Sequence, residues 1–182
     1  MEKSWFQKLF SRADKTDAEV SSGSTDYENA EVQFGMGLKF AGREGAGRDY
    51  LQAAEWYRKA ADQNHSLAQL NLGTMYAKGQ GVAQDDAQSA MWFVKAAKQG
   101  DAGAQFHLGT KCHRDSFKGA PADAPESRIE AYKWYRLSAE QGYQGSNTAF
   151  TTLILNMSRE DVGVGNERFI AFATENGLKE NV

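Results

Sequence analysis

The stretch HLGTKCHRDS carries His107, Cys112, His113 and Asp115, side chains that could bind a metal or activate a nucleophile. A thiolate beside an imidazole base would suit acyl transfer, and histidine with cysteine would suit zinc. The spacing supports neither. Cys112 and His113 are chain neighbours, so on a helix they point to different faces. A small hydrolase or metal-dependent enzyme using His107, Cys112 and His113 is therefore the alternative reading, and packing is the preferred one. The glycine-rich stretch KGQGVAQD lacks the lysine-hydroxyl ending and the preceding strand of a phosphate loop, so it reads as a turn. Asp85 and Asp86 suit the start of a helix, where carboxylates are stabilising, better than acid-base work. No catalytic residue, metal site or cofactor is expected.

The elements that position these residues are written in a repeating phrase. AEWYRKAADQ, AMWFVKAAKQG and YKWYRLSAEQG follow one another along the chain. A shift of 36 residues carries Trp56, Lys59, Ala60, Ala61 and Gln63 onto Trp92, Lys95, Ala96, Ala97 and Gln99. It also aligns Gly37 with Gly73 and Gly109, and Gln33 with Gln69 and Gln105. In the third copy the offset between Trp92 and Trp134 is 42, so six residues have been inserted.

Each copy divides into two helical segments. Ala68, Leu72, Gly73 and Tyr76 share one side of the first, and Trp92, Phe93, Ala96 and Ala97 form an apolar stripe on the second. Glycine inside a helix costs about 1 kcal/mol relative to alanine, so its regular return predicts a place where another helix passes closely. Lys95 and Lys98 suit a helix C-terminus, Gly100 a residue of positive φ beyond it, and Asp85 an N-cap. Hairpins this short cannot bury their stripes alone, which predicts stacking of neighbouring units.

The middle copy, with Ala68, Leu72, Gly73, Tyr76, Gly79, Gly81, Val82, Asp85, Trp92, Phe93, Lys95, Ala96, Ala97 and Gly100, resembles the Sel-1-like repeat family. The first copy departs from it with Met36 for leucine, and the third with Cys112 for tyrosine and an enlarged loop. The resemblance implies an all-α protein, a right-handed α-solenoid of tetratricopeptide-like hairpins. Three repeats are expected at about 30–65, 66–101 and 102–143 within residues 29–143. They follow an N-terminal amphipathic helix and polar linker (1–28) and precede C-terminal capping helices and a tail (144–182), with MSREDVGVGNERFIAF as a capping helix. It further implies a non-enzymatic scaffold or adaptor for protein partners, often bacterial. Some exported relatives pair cysteines in each unit, and this chain does not.

Composition narrows the rest. The chain has 182 residues, a formal charge of −3 and 41% hydrophobic residues, enough for a core and without the basic footprint of a nucleic-acid binder. No apolar run is long enough to span a bilayer, and the charges at Glu2, Lys3 and Lys8 break up any secretory leader. With Cys112 as the single cysteine, a cytoplasmic location is expected. At the start, Trp5, Phe6, Leu9 and Phe10 share one helical face. Three readings stay open for it: a cap on the array, a recognition helix, or a weak membrane contact through residues 1–12. The insertion around 114–128 holds both prolines, Pro121 and Pro125, and reads as a surface loop or a partner-contacting one.

A scaffold needs a surface. In an α-solenoid the first helices line the concave face, so the partner-binding residues expected are Phe34 and Leu38, then Leu70, Thr74 and Lys78, then Phe106, Thr110, His113 and Arg114. Lys78, His113 and Arg114 make one end basic, so the expected partner is a protein or peptide with an acidic segment.

Overall fold

The structure is a computed structural model and describes residues 26–42 and 49–178. The expected N-terminal amphipathic helix falls on residues outside that range. Among the described residues the chain forms eight α-helices and no strand: α1 Ala30–Gly42, α2 Tyr50–Asp62, α3 Ser66–Lys78, α4 Asp86–Lys98, α5 Ala102–Asp115, α6 Ala124–Glu140, α7 Ser146–Ile154 and α8 Arg159–Glu175. Consecutive helices pack as hairpins, α1 with α2, α3 with α4 and α5 with α6, and each hairpin stacks on the next.

Side-chain caps fix where the helices begin. Asp49, Asp85 and Asp101 accept backbone N–H groups of Gln52, of Ala87 and Gln88, and of Ala104. His65 fills the same role for α3 through Nδ1, which accepts from the Ala68 N–H. Each cap satisfies one or two of the donors that a helix start leaves open.

The recurring glycines form notches for aromatic rings. A Cβ on Gly73 would come within 2.8 Å of the Phe93 ring, and one on Gly109 within 2.5 Å of the Tyr135 ring; Gly37 meets Tyr57 in the same way. The second aromatic of each tryptophan phrase thus lies against the first helix of its own unit. Gly81, at φ +68, would collide with the Tyr50 carbonyl and can carry no side chain.

The recurring glutamines are staples. Gln69 is 1% exposed and Gln105 0%, a burial that requires partners for the amide. Their Nε2 groups donate backward to the Ala61 and Ala97 carbonyls, at the end of the preceding unit's second helix. Their Oε1 atoms accept from Gln99 and Gln141, just past the second helix of their own unit, at 2.8 Å each. Gln63 and Gln33 make the same bond in unit one.

Trp92 and Trp134 pack toward the preceding unit. Trp92 joins a cluster with Ala53, Tyr57, Leu72 and Met75, while Trp134 joins Phe93, Ala96 and Ala97. Among the described residues a lysine ammonium covers each indole: Lys59 over Trp56 at 4.3 Å, Lys95 over Trp92 at 4.0 Å and Lys133 over Trp134 at 4.5 Å. Such contacts stabilise by about 0.5–1 kcal/mol where water reaches them.

The insertion is mostly helix. Pro121 starts a 3-10 turn, Pro121–Asp123, and Pro125 lies in the first turn of α6, where its missing N–H costs no hydrogen bond. Counting back from Trp134, α6 has four residues, Ala124 to Ser127, that α4 lacks. The added turn presents Glu126 to Arg168 of α8 at 2.5 and 3.0 Å, and Glu130 takes a third bond at 2.8 Å. Burial raises the Glu130 pKa, but the bonds and charges of Lys133 and Arg168 outweigh it and hold the carboxyl below its ordinary value.

These contacts tie α8 to α6, on which it packs far more than on α7. The reason is visible in α7, which begins as the first helix of a fourth unit. Ser146, fully buried, stands in the register of Ala104, but Thr151 replaces the notch glycine and Asn147 the staple glutamine. Without a notch no aromatic helix can lie close, so α8 folds back across α6 and seats its own Gly165 on the Tyr132 ring, 2.7 Å from a notional Cβ.

Candidate functional site

The first helices place corresponding residues in rows. One row runs Phe34, Leu70, Phe106 and Thr148; the next Leu38, Thr74, Thr110 and Thr152; the last Gly42, Lys78, Arg114 and Asn156. The register that buries the glycines and glutamines of α1, α3 and α5 turns these rows away from them.

The apolar row is anchored. Phe34 stacks on the His65 ring at 4.5 Å and leans on Tyr57 at 5.8 Å. Phe106 touches Tyr135 at 5.7 Å and Tyr143 at 5.4 Å. Both are half-buried, as are Leu38 and Leu70 against the core clusters. In the middle row the hydroxyls of Thr74 and Thr110 donate to carbonyls of their own helices, Leu70 and Phe106, and Tyr135 donates to Thr110 at 3.3 Å.

The basic row is less basic than its residue types suggest. Arg114 lies 3.8 Å from Asp86 and 3.9 Å from Asp115, at long ion-pair range. His113 packs 5.3 Å from the Phe117 ring and edge-on to Tyr135, and burial, with Arg128 adding to it, lowers its pKa. Lys78 is exposed and has no ion pair among the described residues.

The residues of the alternative enzymatic reading are held by packing. His107 lies flat on Phe93, with ring centroids 4.8 Å apart and planes 8° apart; burial lowers its pKa, and Lys78 adds to that. Cys112 sits between two core clusters, where burial, reinforced by Glu130, pushes its thiol up to about 11. Such a thiol is the reverse of an activated nucleophile. Among the described residues no three His, Cys, Asp or Glu side chains converge to hold a metal.

Three exposed apolar side chains on or beside these rows have no counterpart among the residues expected from sequence. Leu67 is 46% exposed, Tyr143 38% and Phe117 76%. The signal for Tyr143 was its position: it stands 42 residues after the cap Asp101, where a further cap is due, and its ring faces Phe106 instead. Leu67 stands in register with Glu31 and Gly103, so no scaffold demand explains it. Phe117 follows α5 in the insertion.

Comparison with known proteins bears on the fold that carries these rows. The Sel1 repeat profile matches residues 30–65, 66–101 and 102–143. The chain belongs to the Sel1 repeat family. No curated protein matches it. A Sel1 repeat protein from Oxalobacter formigenes superposes with a TM-score of 0.65 at 28% identity, covering 94% of this chain and 68% of its own. A protective antigen of uropathogenic Escherichia coli with an SLR fold gives 0.68 at 23% identity, covering 85% of this chain and 34% of its own. The Sel1 chain described here thus spans about a third of that antigen. Sel1 repeat proteins are generally protein-interaction modules, and their shared fold is the α-solenoid of stacked hairpins seen here. No helix among the described residues is long and apolar enough to cross a membrane.

Proposed function

We propose that this Sel1 protein is a non-enzymatic adaptor that holds a protein or peptide partner along the concave, first-helix face, in a cytoplasmic setting. The observation that carries the reading is the contrast between positions. Where the scaffold needs glycine, glutamine or an aromatic ring, the side chain is buried and engaged; along the rows Leu70, Lys78, Phe106 and Thr110, water-facing atoms remain. Anchored rings at Phe106 and Tyr143, with Leu70 beside Tyr143 and Leu67 exposed on α3, suit apolar side chains of an extended or helical segment. The exposed ammonium of Lys78 suits a carboxylate on the same segment, with Arg114 contributing less because Asp86 and Asp115 already face it.

The test is capture of a partner by the intact protein, followed by Lys78→Glu, Phe106→Ala and Lys98→Glu. Lys98, exposed at the end of α4, lies on the second-helix side. Lys78→Glu is expected to weaken binding about tenfold and to flatten its dependence on salt, with Tm unchanged, since reversal turns an attraction into a repulsion. Loss of binding in Lys98→Glu, with Lys78→Glu and Phe106→Ala silent, would move the site to the second helices.

A further inference from the structure

In units two and three the first helix lies against the second helix of the unit before. Ala68 and Leu72 do so at 0% exposure, and Ala104 and Leu108 at 0% and 4%. Their counterparts on α1 are Val32 and Met36, which are only half-buried and belong to no core cluster of the described residues. Phe40, half-buried and packed in part against the first unit's core, continues the line, in register with Tyr76, whose hydroxyl is bonded by Arg58 of the preceding second helix. Val32, Met36 and Phe40, at i, i+4 and i+8, thus form an apolar stripe shaped for a helix.

Two observations identify what covers it. The first is a backbone position. Gln33 donates to the Tyr27 carbonyl at 2.8 Å, the bond that Gln69 and Gln105 make to the last turn of a preceding second helix. The chain entering α1 therefore runs where such a helix would end.

The second observation is a phrase. Trp5-Phe6-Gln7-Lys8-Leu9-Phe10 matches Trp56-Tyr57-Arg58-Lys59-Ala60-Ala61 and Trp92-Phe93-Val94-Lys95-Ala96-Ala97 in its aromatic pair and its lysine. The two alanines differ, as does the third position, which already varies between Arg58 and Val94. Ala96 and Ala97 are wholly buried, and in their places Leu9 and Phe10 keep the apolar character of the phrase with larger side chains. Trp5 precedes Trp56 by 51 residues, fifteen more than the repeat. Fifteen residues can extend roughly 50 Å, and α1 is only about 20 Å long, so the phrase reaches the stripe within one chain.

We infer that residues 4–11 form a helix lying on Val32, Met36 and Phe40 as the second helix of an incomplete preceding unit. The occupant of the stripe is this chain's own segment.

The test uses the full chain labelled with 5-fluorotryptophan, whose four tryptophans give four fluorine resonances, Trp5 being identified by Trp5→Phe. Met36→Glu is expected to move the Trp5 resonance to its solvent-exposed position and to speed α1 amide exchange about tenfold, leaving Trp92 and Trp134 unchanged as evidence of an intact array. Phe10→Ser, made from the other side of the contact, should do the same. A Trp5 resonance already at the solvent position in the unaltered chain overturns the inference. So does α1 protection that rises with concentration alongside a dimer in sedimentation, which makes a second copy the occupant. A Trp5 shift seen only with anionic phospholipid vesicles and indifferent to Met36→Glu makes it lipid.

Discussion

The second unit and the abortive fourth begin in the same register and end differently. Unit two has Gly73 and Gln69, and its second helix lies in the notch and closes the staple. At the matching positions α7 has Thr151 and Asn147, both exposed, and the helix that follows goes elsewhere. Two residues mark the difference between continuing an array and stopping it. The outward face of α7, with Asn147, Thr148, Thr151 and Thr152, is polar, as the last element of a stack must be to remain in water.

The largest effect is expected inside the continuing part. Trp92 is 6% exposed and links units one and two, so Trp92→Ala should cost about 3–5 kcal/mol in urea denaturation. A loss below about 1 kcal/mol would contradict its place in the core.

The notch offers a sharper comparison. Gly73→Ala drives a methyl into Phe93 and should destabilise by about 1–3 kcal/mol despite the helix propensity gained. Gly163→Ala, where nothing lies within 4 Å, should stabilise by about 0.5–1 kcal/mol. Equal responses to the two changes would remove close approach as the reason for the recurring glycine.

The staple comes next. Gln69→Ala removes the bonds to the Ala61 carbonyl and the Gln99 amide but leaves each a bond to Asn64, so the expected loss is about 0.5–1.5 kcal/mol. Asn147→Ala, at the same register on α7, should change stability by under about 0.5 kcal/mol.

The smallest effect belongs to the clamp on α8. Arg168 and Glu130 are each about a third exposed, so Arg168→Ala should cost about 1 kcal/mol or less. The pH dependence has a definite sign. The Glu130 carboxyl is held below its ordinary 4.5 in the folded state. Its contribution is therefore fully present above that value and is lost as the pH falls through the lower folded pKa. Faster amide exchange in α8 than in α4 on acidification would show it.

The architecture was legible in the sequence because a repeat compares the chain with itself. Gly37, Gly73 and Gly109 announced a close approach without naming the ring that fills it. The glutamines were equally regular, yet half of their role rests on bonds between residues 30 to 36 apart, which no local pattern encodes. The insertion read as a loop because two prolines suggested one, but proline in a helix's first turn starts a helix as readily as it ends one. Among the candidate site residues, Lys78 stands as its type suggests. Arg114 does not, because Asp86 lies on another helix and only stacking brings the two near. Leu67, Tyr143 and Phe117 escaped notice because a periodicity argument sees what repeats, and these do not.

The staple also sets where this protein could be lengthened. Gln69 and Gln105 each bond the unit before and their own unit, so residues 66–101 carry a complete half-bond at each edge. A tandem copy of that block, spliced after Gly100 and Asp101, would meet the same donors and acceptors it left. What an added block must keep is the period: one of 36 residues returns every amide to its mate, whereas one of another length would leave an amide without its mate at a join.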